Sequence, residues 1–167
     1  PAIIKCIEDV KNVKRDIRKG NVRAILFIED TPRYYSSILP VIYKETLFHT
    51  KKLMDKSLND TQRLLLMRGR PKILLAKSYE AAEKYFKQYK NNILGIISDI
   101  RFPKNGKLHH NAGILFAKYV HSIEDTMPIL LQSSEKEALA LARTITPNVL
   151  NKKSSTLFSD MREFIID

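Results

Sequence analysis

Cysteine is nearly absent. Cys6 is the only one in the 167-residue chain, so no internal disulfide can form, and the composition fits a reducing cytoplasm, the expected location. Long apolar runs are missing too. No segment is long enough to span a bilayer, and none has a signal-peptide pattern, so no membrane partner is expected. Negative charge is short: 18 acidic residues face 29 Lys and Arg, for a net charge of +11. The excess clusters in KNVKRDIRKGNVR, KKLMDK and RGRPK, which raises nucleic acid, an anionic membrane surface or an acidic partner domain as candidates. No aromatics interleave with those lysines, as a single-strand binder would want, and no helix-turn-helix pattern is present. Nucleic acid is therefore not the expected partner. Internal repeats and low-complexity stretches are absent as well.

What is present suffices for a core. A chain of this length that is 44% hydrophobic reads as one domain, or one domain with an appendage. It opens on proline and closes after the apolar FII, which reads as a piece of a longer protein. Residues 1–20 carry Ile3, Ile4, Ile7, Val10, Val13 and Ile17 at helical steps, and Gly20 can end that helix. VRAILFI, 22–28, is a buried strand running into Glu29 and Asp30. Thr31 then offers an N-cap and Pro32 suits the first helical position. The stretch 49–70 reads as an extension of that helix or a second helix, with a break at Asn59 and Asp60. Strands follow at 72–76, 93–98, 127–134 and 148–153, separated by helices in SYEAAEKYFKQYK, NAGILFAKYVHSI and EKEALALARTI, and TLFSDMREFII closes the chain as a helix. This alternation predicts an α/β fold with a parallel sheet and right-handed crossovers.

Ligands of open α/β sheets bind outside the carboxyl ends of the strands. Here those ends carry Glu29 and Asp30, then Asp99, then Ser133 and Ser134, then Lys152 and Lys153; only the second strand lacks such a group. Singly, each of these is an ordinary cap or loop residue. Together at successive strand ends they read as a site. Three neighbouring carboxylates raise one another's pKa unless a cation lies between them, and all-oxygen ligation suits Mg²⁺. One carboxylate could then serve as nucleophile toward a phosphoryl donor, with an ammonium and a hydroxyl receiving the charge on the phosphoryl oxygens. His109 and His110 lack supporting ligands and read as exposed loop residues.

With these motifs in this order, ILFIEDTP, DIRFP, PILLQSS and VLNKK, the chain from about residue 22 to 167 resembles the receiver domain of response regulators, the CheY-like superfamily. RGRPKILLA and SDIRFPKNG also resemble receiver-like domains fused to phosphoenolpyruvate synthase-type proteins. The resemblance implies a flavodoxin-like, doubly wound sheet of five parallel strands in the order 2-1-3-4-5; beyond the family pattern lie an extended helical insert at about 49–70 and residues 1–21, an N-terminal helix or linker. It implies a phosphoacceptor at Asp99 and a Mg²⁺ site on Glu29, Asp30, Asp99 and the backbone carbonyl of Arg101. Ser133 and Lys152 complete the catalytic set, and self-catalysed aspartyl phosphorylation and dephosphorylation is the only activity expected. The implied partners are a histidine kinase or phosphotransfer protein and a fused output domain outside this stretch of chain.

Departures from the family pattern shape the remaining expectations. Lys153 stands where the family has proline, and Val149 where it has an aromatic switch residue. KNGKLHHN lengthens the loop after Asp99. Val149 and Lys153 favour, as an alternative, a phosphorylation-independent interaction module regulating a fused or partner domain; the basic charge leaves a basic nucleic-acid-binding domain as a third reading. Leu47, Met54, Leu58 and Leu65 form a candidate apolar stripe for a partner or a second copy of the chain, so a homodimer stays open.

Overall fold

The computed structural model describes residues 1–56 and 59–166, with the backbone alone for 65–68. The elements in chain order are α1 (Ala2–Gly20), β1 (Ala24–Ile28), α2 (Pro32–Asp55), α3 (Asp60–Arg68), β2 (Lys72–Ala76), α4 (Tyr79–Tyr89), β3 (Ile93–Asp99), β4 (Phe102–Lys104), β5 (Lys107–His109), α5 (Ala112–Ile123), β6 (Ile129–Ser133), α6 (Lys136–Ala142), β7 (Val149–Asn151) and α7 (Leu157–Ile166). Five strands form one sheet in the order β2-β1-β3-β6-β7, all paired in parallel. Counting only the sheet strands, this is the expected 2-1-3-4-5 arrangement. No described helix is long and apolar enough to cross a membrane.

The apolar runs become central strands because both of their faces are covered. Alternation sends Leu26, Ile28 and Ile96 toward Phe86 of α4 and Phe116 of α5. It sends Ile25, Phe27, Ile97 and Leu130 toward Ile38, Leu39 and Ile42 of α2 and Leu157 and Met161 of α7. From α4, Phe86 meets Phe116 and Tyr119 edge-on at 6.3 and 5.9 Å. Ser78 caps α4, its hydroxyl accepting from Ala81 N–H at 3.2 Å.

Helix α1 lies along β2 and is tied there by a buried acid. Asp9, 1% exposed, accepts from Arg70 Nη2 at 2.7 Å, Tyr43 Oη at 2.8 Å and Ile73 N–H at 3.0 Å.

Several local expectations are corrected. The lengthened segment after Asp99 is a β4–β5 hairpin, because Asn105 (φ 53°) and Gly106 (φ 75°) both adopt the left-handed backbone that a tight hairpin turn needs. Thr31 sits at the N-cap of α2, but its hydroxyl makes no cap; it donates to Asp30 Oδ1 at 3.4 Å instead. Helix α6 stops at Ala142, earlier than expected, as Thr146 turns inward to donate to Ile129 O at 2.7 Å. Within 49–70 no correction is needed: α2 runs through Pro40 to Asp55, and a second helix, α3, starts at Asp60, at the expected break. Of the candidate stripe, Leu47 is exposed and Met54 half-buried, whereas Leu58 and the side chain of Leu65 lie outside the described residues.

Candidate functional site

The ends of β1, β3, β6 and β7 meet at one edge of the sheet. Ile28 pairs with Ser98 and Asp99 with Gln132, so Glu29, next after Ile28, falls beside Asp99. Glu29, Asp30 and Asp99 each offer a carboxylate oxygen within 4.8 Å of the others. Lys152 follows β7 and reaches back across the sheet edge. Its ammonium lies 2.6 Å from Glu29 Oε2 and 3.1 Å from Asp99 Oδ1, with the side chain only 4% exposed. The same Nζ sits 4.0 Å from the centroid of the Tyr34 ring, in the first turn of α2, where a cation–π contact helps to hold it.

Donors then divide unevenly. Glu29 Oε1 accepts from Thr31 N–H at 3.2 Å, and Asp99 Oδ1 accepts from Ile100 N–H at 2.9 Å as well as from Lys152. Asp99 Oδ2 has no hydrogen bond among the described residues. Burial pushes the Glu29 carboxyl up to about 7, and the Asp99 charge adds to the rise, against the pull of Lys152 and of the Thr31 N–H. Asp99 is also raised, chiefly by burial; Lys152 and the Ile100 N–H oppose this, and Asp30 adds to it. Three acids thus face one ammonium at a buried sheet edge. An all-oxygen donor set with surplus negative charge fits a hard divalent cation such as Mg²⁺.

The site opens into a cleft of about 270 Å³ lined by Asp30, Thr31, Tyr34, Asp99, Arg101, Ser133, Lys152 and the hairpin residue Leu108. Ser133 is buried; its hydroxyl accepts from Glu135 N–H at 3.1 Å and its carbonyl from Lys152 N–H at 2.9 Å. Arg101 is exposed, and its guanidinium spans the mouth to Glu135 at 3.4 Å. The peptide between Lys152 and Lys153 is trans, like every other among the described residues. Val149 is half-buried against the core on the α4 and α5 face. His109 uses Nδ1 to accept from Asn111 N–H at 3.1 Å, and among the described residues no histidine joins a metal-ligating group.

Of the seven strand-end residues singled out in the sequence, Glu29, Asp30, Asp99, Ser133, Ser134 and Lys152 meet at one sheet edge, whereas Lys153 is exposed and does not line the cleft. Three further residues went unnoticed. Tyr34 follows the acidic pair by one turn of α2, a spacing that could have flagged it. Gly113 packs its Cα against the Asp99 backbone: a Cβ there would fall 2.2 Å from Asp99 O. Gln132 stands beside Asp99 in register, a polar residue directly after the apolar Ile129, Leu130 and Leu131 of β6.

The chain is similar to a response regulator receiver domain protein from Clostridium thermocellum, with a TM-score of 0.61 and 16% identity over 87% of this chain and 92% of that one. The anti-anti-sigma factor PhyR from Bartonella quintana matches at a TM-score of 0.49 and 16% identity, over 93% of this chain and 51% of that one. No protein-family model and no curated protein matches the sequence. The chain has the CheY-like receiver fold.

Proposed function

We propose that the chain is a cytoplasmic receiver domain of two-component phosphorelay signalling that accepts a phosphoryl group on Asp99 in a Mg²⁺-dependent reaction. One observation carries this reading: Lys152 is held between Glu29 and Asp99, beside Asp30, at the floor of an open cleft. Glu29, Asp30 and Asp99, with the backbone carbonyl of Arg101, would hold the Mg²⁺. Bound there, the ion neutralises the carboxylates and draws charge from the transferring group.

The chain's own residues account for the rest. An Asp99 carboxylate oxygen attacks the phosphorus of a phosphohistidine on a histidine kinase or phosphotransfer protein. The new P–O bond forms as the P–N bond breaks, and the electron pair leaves with the imidazole. Lys152 shifts its ammonium from Glu29 toward a phosphoryl oxygen, and the Ser133 hydroxyl turns to donate to another. Attack by water on the acyl phosphate returns Asp99 and inorganic phosphate. A fused or partner output domain would read the change.

Mass spectrometry after incubation with acetyl phosphate and Mg²⁺ tests this. The wild type should gain one phosphoryl group, stable to acid and labile to base and hydroxylamine. Asp99→Asn should gain none, and Lys152→Ala much less. An unlabelled wild type, under conditions that label a control receiver, would sink the reading. It would favour the phosphorylation-independent module, which Val149 and Lys153 support by standing where the family has an aromatic and a proline.

A further inference from the structure

Among the described residues, Gln132 alone has buried side-chain polar atoms with no hydrogen-bond partner. Both Nε2 and Oε1 are unpaired, and the residue is 0% exposed. Burying an amide unpaired costs stability, and a leucine of similar size would avoid the cost. The amide thus calls for a role in another state of the site, and its position indicates which. Asp99 pairs with Gln132 and Gln132 with Leu150, and in-register neighbours of parallel strands share a face. Glu29, Asp99 and Gln132 therefore form one row along the sheet edge. β6 lies between β3 and β7, so Lys152, rooted just beyond β7, must cross the end of β6 to reach Asp99 and Glu29. Gln132 stands where that crossing passes.

A divalent cation on Glu29, Asp30 and Asp99 cannot share Glu29 Oε2 with the ammonium on equal terms, because the two positive charges repel in a buried site. Lys152 has to draw back toward its root. Along that path the amide oxygen of Gln132 is the uncommitted acceptor. We infer that Gln132 is a positioning residue for Lys152: its amide oxygen takes over the ammonium hydrogen bond that Glu29 gives up when a divalent cation binds the three carboxylates. The inference rests on the preceding reading of those carboxylates as a Mg²⁺ site.

The test is a Mg²⁺ titration of ¹⁵N-labelled protein, following the Gln132 side-chain amide, which is identified by its absence in Gln132→Leu. In the wild type the Gln132 pair should move at the same Mg²⁺ concentration as the backbone amides of Asp30 and Asp99. Lys152→Met keeps the aliphatic stem without the ammonium. It should still bind Mg²⁺, while the Gln132 pair no longer moves. By calorimetry, Gln132→Leu should bind Mg²⁺ about tenfold more weakly, the loss of one hydrogen bond to a charged group. Its metal-free form should melt no lower than the wild type. Backbone shifts at Asp30 and Asp99 with a stationary Gln132 pair, or an unchanged affinity in Gln132→Leu, would overturn the inference and leave the Mg²⁺ site standing. So would a Gln132 shift that persists in Lys152→Met. No Mg²⁺-dependent shift anywhere at the sheet edge would overturn both. If Gln132→Leu fails to fold, comparison of wild type with Lys152→Met decides, with the Gln132 pair then assigned by through-bond correlation.

Discussion

At the residue scale, the geometry of Asp99 depends on a neighbour that has no side chain. Gly113 N–H donates to Ile100 O at 2.9 Å, and a Cβ would meet Asp99 O at 2.2 Å and Ile100 Cα at 2.8 Å, both backbone. Neither can yield as a side-chain tip would. Gly113→Ala should therefore cost about 1–3 kcal/mol in urea unfolding and displace the end of β3, so that labelling of Asp99 falls while Lys152 and Ser133 are untouched. Glu29 adds a pH dependence. Its carboxyl is raised from 4.5 to about 7, so the folded chain holds a proton that the unfolded chain releases between those values. The stability it contributes is complete below about pH 4.5 and lost as pH rises through about 7, and Asp99 shifts in the same direction. The metal-free protein should lose on the order of 2 kcal/mol between pH 5 and pH 8 by urea unfolding, and Glu29→Gln should flatten that slope. The acids, serine and lysine of the site were legible in the sequence because each ends an apolar run. Tyr34, Gln132 and Gly113 were not, since their roles come from register and close approach between segments distant in sequence.

Elements show the same division. Strand positions could be read because runs buried on both faces are continuous in sequence, and the aromatic face of α4 because Tyr79, Ala82, Phe86 and Tyr89 recur at helical steps. The β4–β5 hairpin is harder to read as strands, although Asn105-Gly106 is a strong two-residue turn signal. Its flanking strands are only three residues each, too short to show alternation. The bond between α1 and β2 was invisible for another reason. Asp9 lies on the inner face of a basic helix and finds its partners some 34 to 64 residues later, in Tyr43, Arg70 and Ile73. Removing one partner of a buried ion pair strands the others. Asp9→Ala should therefore cost about 3–5 kcal/mol, measured by urea unfolding, by leaving the Arg70 guanidinium, the Tyr43 hydroxyl and the Ile73 N–H without their acceptor. Asp9→Asn, which keeps one acceptor oxygen, should cost less.

For the molecule as a whole, the question is how an event at Asp99 would reach the surface. Two routes leave the site. One passes through Val149 on β7, half-buried against the core; a β-branched side chain held to few rotamers has no ring to swing. The other passes through Ser133, whose hydroxyl accepts from Glu135 N–H at 3.1 Å at the start of α6. If that hydroxyl turns toward a phosphoryl oxygen, Glu135 N–H loses its acceptor and the first turn of α6 must readjust. Arg101 holds Glu135 from the other side of the cleft at 3.4 Å, so the β3 end would feel the same shift. Signalling is therefore expected to run through residues 133–137 and not through β7. Amide chemical shifts on adding a beryllofluoride phosphoryl mimic with Mg²⁺ measure this. Large changes should fall on Ser133, Ser134, Glu135 and the first turn of α6, with small ones at 147–151. In Ser133→Ala the α6 changes should collapse while those at Asp99 persist. Changes concentrated at Val149, or an α6 response that survives Ser133→Ala, would show that β7 carries the signal despite its missing ring.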